Sequence, residues 1–204
     1  VADKDSVAVV RDNGSEIVLP TLPSDDFPVW PDQEPGTSIV INSAVLTDAL
    51  GCVAHAVSRE DTRYYLNGVY VHAHNGFFFF LATDGYRLAI HDTDIEAPDG
   101  FLGGIWPAAF VKDVIATFKK PTMIDIKVCN ARVWVSTLTV ILSAKLIDGT
   151  FPGYLRVIPS ANDNPMIIVA SEIKSLMGGL TGRERRDPIR FDGDTLTLGA
   201  RKAK

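Results

Sequence analysis

The chain has 204 residues, 46% apolar and 22% charged, with sixteen glycines, twelve prolines and two cysteines, a globular composition that excludes disorder, collagen and a disulfide scaffold. The formal charge of −5 disfavours a protein whose whole surface coats nucleic acid, and leaves room for a local basic face. No apolar run approaches the roughly eighteen residues of a spanning helix, because the greasiest, Gly76–Ala82, stops at Thr83-Asp84-Gly85; a soluble protein is expected.

The opening Val1-Ala2-Asp3-Lys4-Asp5 has neither the basic start nor the apolar core of a secretion signal, and a start at valine reads as a fragment or a processed chain. Val7–Val10 and Glu16–Leu19 flank Asp12-Asn13-Gly14: β-branched runs around a turn that tolerates positive φ predict a β-hairpin. Four prolines between Pro20 and Pro31 stop any element and place a domain boundary there. Ser38–Ile41 predicts a strand that runs into Asn42-Ser43 as a helix cap. Val45, Leu46, Ala49, Leu50 and Val53 then line one face of a helix taken from Ser43 to Val57.

Three strands follow, Val69–Ala73, Phe77–Ala82 and Arg87–His91, separated by His74-Asn75-Gly76 and Asp84-Gly85. The scheme then restarts. Ile105-Trp106 leads into Pro107, suited to the first position of a helix, and Phe110, Val111, Val114, Ile115 and Phe118 repeat the earlier spacing. Met123–Val128, Arg132–Ser136 and Val140–Leu146 are the closing strands. Cys52 and Cys129 have no Cys or His at ligand spacing around them and read as reduced thiols of a cytosolic protein.

Residues from about 37 to 158 therefore form two copies of strand, helix and three strands. A longer repeat overlies them. Ile17-Val18-Leu19 with Leu22 and Phe27-Pro28 recurs as Ile141-Leu142-Ser143 with Leu146 and Phe151-Pro152, and Ile39–Val45 recurs as Ile167–Ile173. A period this long means serial copies of one domain rather than a solenoid. The expected organisation is the end of one module in residues 1–35, a whole module in residues 36–159, and the start of a third in residues 160–204 that lacks most of its strands. Such a partial sheet leaves an open edge, so partner segments are expected beyond this sequence.

Three runs carry a family resemblance: Asp61-Thr62-Arg63-Tyr64-Tyr65-Leu66-Asn67-Gly68-Val69, Ala82-Thr83-Asp84-Gly85-Tyr86-Arg87-Leu88-Ala89, and Lys145-Leu146-Ile147-Asp148-Gly149-Thr150-Phe151-Pro152 with Tyr154 and Val157-Ile158-Pro159. In order and spacing they resemble the middle domain of the bacterial sliding clamp, the β subunit of DNA polymerase III, and Leu22-Pro23 with Asp26-Phe27-Pro28 resembles the exit from that family's first domain. The resemblance implies an α+β DNA-clamp fold, each domain two copies of strand, helix and three strands, with antiparallel sheets outside and helices on the inner face. It implies a non-catalytic, cytoplasmic processivity subunit with no cofactor and no metal. Two such subunits close head to tail around double-stranded DNA, and their partners are the polymerase III α subunit, clamp-loader subunits and other proteins with clamp-binding motifs.

By the same resemblance, Leu66, Thr83, Gly85, Tyr86, Arg87, Leu88, Pro152, Tyr154, Arg156 and Val157 line a client-peptide groove, an apolar cleft with a few polar anchors. Arg63, Tyr64 and Tyr65, with Lys112, Lys119 and Lys120 of the second helix, are the expected DNA contacts, through phosphate attraction and base stacking. Ile17 and Leu19 are the expected subunit-interface positions. Two departures weaken the DNA and closure readings. The first helix offers only Asp48 and His55 as acidic or basic positions, and Leu180-Thr181-Gly182-Arg183-Glu184-Arg185-Arg186 is charged where an apolar closure contact is expected. A clamp-derived peptide-binding adaptor that never circles DNA is the alternative. An enzyme is the competing class: His72 and His74 share one strand face near Asp84 and His91, but no catalytic motif accompanies them.

Overall fold

The structure is a computed structural model that describes residues 2–3, 7–12, 14–20, 24–26, 29, 35–160, 167–177, 189–192, 195–198 and 201–203. It divides into two compact units, Val1–Pro152 and Gly153–Lys204. The first opens with a sheet of β1 (Ala2–Asp3), β2 (Val7–Asp12) and β3 (Ser15–Pro20) in that order. The predicted hairpin is β2–β3, with Asp12 paired to Ser15 and Gly14 at φ +83°. A 3-10 turn follows at Ser24–Asp26, where no element is expected from the prolines. Leu22-Pro23 and Phe27-Pro28 lie outside the described residues.

Residues 37–147 form two four-stranded antiparallel sheets and two helices. The strands are β4 (Thr37–Asn42), β5 (Gly68–His74), β6 (Phe77–Thr83), β7 (Leu88–Glu96), β8 (Gly104–Pro107), β9 (Met123–Val128), β10 (Arg132–Ser136) and β11 (Ile141–Lys145), and the helices are α1 (Ser43–Ala54) and α2 (Ala108–Thr117). Element order follows the predicted repeat; pairing does not respect it. The sheets run β7-β6-β5-β8 and β11-β10-β9-β4, so the leading strand of each copy belongs to the other copy's sheet. β4 pairs along its length with β9, from Thr37 opposite Val128 to Asn42 opposite Met123, and β8 pairs with β5.

The alternation of each strand supports this pairing. Val69, Val71, Phe78, Phe80 and Trp106 of one sheet, and Ile41, Ile124, Ile126, Val133 and Val135 of the other, enter a single core with Leu46, Leu50, Val53, Phe110, Val111 and Val114 of the helices. Each fully buried side chain of this size contributes about 1.5–3 kcal/mol. α1 packs on β4, β5, β6 and β7, α2 packs on β5, β8 and β11, and the helices touch each other.

Local chemistry sets the boundaries. Asn42 caps α1, its side chain accepting from the Ala44 amide at 2.9 Å, as predicted. α1 ends at Ala54 rather than Val57, because Ala56 and Val57 donate to carbonyls only three residues back and the Ser58 amide bonds the Leu66 carbonyl at 3.0 Å. His55 is thus the helix cap. Pro107 stands one position before α2, not inside it: it ends β8 opposite Gly68, and the first helical amide, Ala108, donates to the Asn67 carbonyl at 3.1 Å. Val45, on the predicted apolar face, is 39% exposed. Asn75 and Gly76 both have positive φ, the geometry of a tight primed hairpin turn.

The second unit contains a 3-10 turn, Tyr154–Val157, the helix α3 (Ala170–Met177), and a meander of β12 (Ile189–Asp192), β13 (Thr195–Leu198) and β14 (Arg201–Ala203). α3 packs against β14. Three described strands against the eight of the central module agree with a third module that is only begun; the alternation in Thr195-Leu196-Thr197-Leu198 after Asp192-Gly193-Asp194 is the signal that finds them. Residues 167–169 repeat the sequence of β4 without forming a strand, and no described strand pairs with them. The charged run 180–186 lies outside the described residues.

Gly68 is where the exchanged strand β8 comes closest. A Cβ there would strike the Trp106 carbonyl and stand 2.9 Å from Ile105 Cγ2. Gly68→Ala is expected to lower stability by about 1–3 kcal/mol, read as an earlier urea midpoint at unchanged slope.

Candidate functional site

Three loops meet at one end of the first unit. The first is the 3-10 helix Asp61–Leu66, broken by a kink at Arg63, on the connection from α1 to β5. Leu66 is buried, Tyr65 half-buried and Tyr64 exposed, so the two rings meet edge to face at 5.9 Å at the surface. Arg63 is not free: its Nε and Nη2 donate to Glu60 Oε2 at 3.0 and 2.8 Å.

The second loop joins β6 to β7 and is locked by its own side chains. Thr83 Oγ1 donates to the Arg87 carbonyl at 2.7 Å and accepts from the Gly85 amide at 3.0 Å. Asp84 Oδ1 accepts from the Tyr86 and Arg87 amides at 3.0 and 3.1 Å, and Arg87 Nε donates to Asp84 Oδ2 at 3.0 Å. Gly85 sits at φ +90°, and a Cβ there would collide with the Arg63 guanidinium, which places Arg63 against this turn. Tyr86 is left 90% exposed at the tip. The third loop, 148–152, meets the 3-10 helix at Gly149, where a Cβ would stand 2.8 Å from Tyr65 Cβ. Phe151 is buried and stacks on Tyr70 at 4.9 Å.

Of the predicted groove residues, Thr83, Gly85, Tyr86, Arg87 and Leu88 lie together on the β6–β7 connection and its flanking strand ends, while Leu66 is the buried last residue of the 3-10 helix and Pro152 ends the third loop. Tyr154, Arg156 and Val157 lie on the 3-10 turn of the second unit, Val157 exposed. Tyr86 and Arg87 also border a cleft of about 830 Å³ whose other walls include His55, Ser58, Arg59, Glu60, Val111 and Lys112. Lys112 is exposed on α2, but Lys119 and Lys120 are not on that helix: Phe118 turns out of helical geometry with its side chain buried, and both lysines stand exposed in the connection to β9. Glu60 is the residue that sequence reading missed; its position three before Arg63 was the available signal.

The family described as DNA polymerase III beta subunit, central domain, matches residues 40–153, more than half of the chain. The chain belongs to that family. A beta sliding clamp of Caulobacter vibrioides is 35% identical over 164 residues, 76% of this chain and 43% of the relative. One from Rickettsia bellii is 31% identical over 189 residues, 88% of this chain and 50% of the relative. The chain thus spans about half the length of the curated relatives it matches. Among solved structures, a DnaN sliding clamp from Bartonella birtlesii bound to griselimycin superposes with a TM-score of 0.82 at 30% identity, over 95% of this chain and 55% of that one. A clamp from Bacillus subtilis gives 0.80 at 20% identity over 98% of this chain and 56% of that one, a likeness of fold. The fold class is therefore the α+β clamp fold.

The histidines invoked for an enzyme sit in an aromatic stack: His72 lies 4.7 Å from Tyr70, and His74 meets Phe79 edge-on at 5.2 Å. Among the described residues no three His, Cys, Asp or Glu side chains gather as a metal site, and no helix is long and apolar enough to cross a membrane.

Amide hydrogen bonds from Tyr86 and then Arg87, with the Arg87 charge nearby, hold the Asp84 carboxyl below the ordinary aspartate range. A lowered folded-state value stabilises the turn above the unfolded pKa, and that stabilisation is lost as pH falls through the folded value. The Tyr86 and Arg87 amide resonances are expected to move together with this acid transition, and Asp84→Asn to abolish it. Gly85→Ala, forced into positive φ against Arg63, is expected to cost about 1 kcal/mol or more and to release Arg63 from Glu60, visible at the Arg63 Nε resonance.

Proposed function

We propose that this chain is the central part of a DNA sliding clamp, a non-catalytic cytoplasmic subunit that tethers the replicative polymerase to duplex DNA for processive synthesis and docks client proteins through a hydrophobic peptide groove. The reading divides the chain into the end of a first clamp domain (residues 1–35), a central domain (36–159) and the start of a third (160–204). Its partners are double-stranded DNA, the polymerase III α subunit, clamp-loader subunits and other proteins with clamp-binding motifs, and its assembly is a head-to-tail dimer. The observation that carries the reading is the self-locked Thr83–Arg87 turn, held against the 3-10 helix of a chain that belongs to the clamp family.

A turn braced by four of its own backbone amide and carbonyl contacts presents Tyr86, Arg87 and Leu88 with little entropy left to lose when a peptide docks. Leu66, Thr83, Gly85 and Pro152, with Tyr154, Arg156 and Val157, complete the proposed groove set. Leu88→Asp and Val157→Asp are each expected to abolish binding of a clamp-binding peptide in titration calorimetry; heats unchanged from the parent chain would reject the groove. Ile17 and Leu19, 54% and 46% exposed on the edge strand β3, are the proposed interface positions.

DNA contact is assigned to Arg63, Tyr64, Tyr65, Lys112, Lys119 and Lys120, and it is weak. The exposed charges of α1 and α2 are Asp48, Lys112 and Asp113, a net negative helical face. Arg63 is already paired with Glu60. Besides the paired Arg63 the assigned cations are the three lysines, so anisotropy with duplex DNA should give a log–log salt slope no steeper than about −3; a much steeper slope would count against the assignment. That same helical face favours the second reading, a clamp-derived adaptor that binds peptides without circling DNA. Peptide binding with no retention on circular duplex, when the chain is loaded with its replisome partners, would select it.

A further inference from the structure

The face of sheet β7-β6-β5-β8 turned away from the core carries rings where a solvated sheet face ordinarily carries polar groups. Residues directly opposite on paired strands share a face. The registers set His72 beside Phe79 and Phe79 beside Asp92, then His74 beside Phe77 and Phe77 beside Glu96. The two histidine rings and Phe79 lie within 5.2–6.2 Å of one another, and Phe77 is 39% exposed. Each row ends on the edge strand β7 in an exposed carboxylate. Asp94, also exposed, lies in the irregularity between the two rows. Among the described residues none of these three carboxylates has an ion-pair partner.

We propose that this face docks an arginine-bearing extended segment of a protein partner, with successive guanidinium groups lying on Phe79 and Phe77 and pairing with Asp92 and Glu96. The chemistry selects arginine. A guanidinium is flat and weakly hydrated, so it stacks on a ring while its fork meets a carboxylate. A purely apolar partner would bury the carboxylates unpaired, which is costly, and an anionic one is repelled. Spacing agrees as well: Phe77 and Phe79 are two residues apart on one strand, about 6.5–7 Å, the repeat that an Arg-x-Arg segment presents when extended. Burial lowers the His72 pKa against the opposing hydrogen bond to the Ala73 carbonyl, so that ring tends to the uncharged form beside an incoming cation. The inference does not rest on the clamp reading, because the face is separate from the Thr83–Arg87 turn.

The test is titration of the full chain with an acetylated Arg-Gly-Arg-Gly-Arg peptide and with its lysine counterpart, followed by calorimetry and by NMR shifts. The arginine peptide is expected to shift Phe77, Phe79, Asp92 and Glu96. The pair Asp92→Asn and Glu96→Gln, at exposed positions that leave the core intact, should weaken it about tenfold or more. The lysine peptide should bind several-fold more weakly, and Phe77→Ser should reduce that preference. Absence of binding, shifts confined to other surfaces, or equal affinity of the two peptides with no response to Phe77→Ser would overturn the proposal, the last outcome meaning general attraction to an acidic chain.

Discussion

The exchange of leading strands is the constraint on which the central architecture depends. β4 and β8 each stand at the start of one copy of the repeat and complete the sheet of the other copy, so neither copy closes a sheet by itself. The core follows from this, because Ile41 and Trp106 reach it from the exchanged strands. The helices follow too: α1 begins at the end of β4 and α2 at the end of β8, so strand pairing fixes where each helix starts. Ala108 makes this explicit, its amide bonded to Asn67 at the head of β5.

The candidate site inherits its geometry from that frame. The 3-10 helix lies on the connection from α1 to β5, and the Thr83–Arg87 turn is the link between two neighbouring strands of the same sheet. Arg63 spans the gap between them, paired with Glu60 on its own side and lying against Gly85 on the other. Each contact is exposed and individually small. What holds the loops in place is the sheet beneath them, with Leu66 and Leu81 buried at their roots.

Legibility in the sequence followed the range of the interaction. Asn42 as a cap, Asn75-Gly76 as a tight turn, and the apolar stripes of both helices are local signals, and each could be read from neighbouring residues. The helix ends could not: α1 stops at Ala54 because Ser58 is claimed by Leu66, and α2 stops before Lys119 because Phe118 turns into the core. Strand exchange left no local mark at all, since Thr37–Asn42 has the same alternation whichever sheet accepts it. The groove residues were named through family resemblance, and composition or spacing alone would have read Thr83-Asp84-Gly85 as an ordinary turn. The residue pattern of β4 recurs at 167–169 without a strand, and no described strand pairs with it there.

The strand exchange also bears on how the chain acquires its structure. The β2–β3 and β12–β13 hairpins close over a few residues, whereas β4 must wait for β9, about ninety residues away, before its first ladder bond can form. Contacts that distant are reached late and must pay loop-closure entropy before any return. The central body is therefore a high-contact-order object whose two halves gain their structure together, and a nascent chain that has not yet produced β9 holds β4 as an unpaired, β-branched strand.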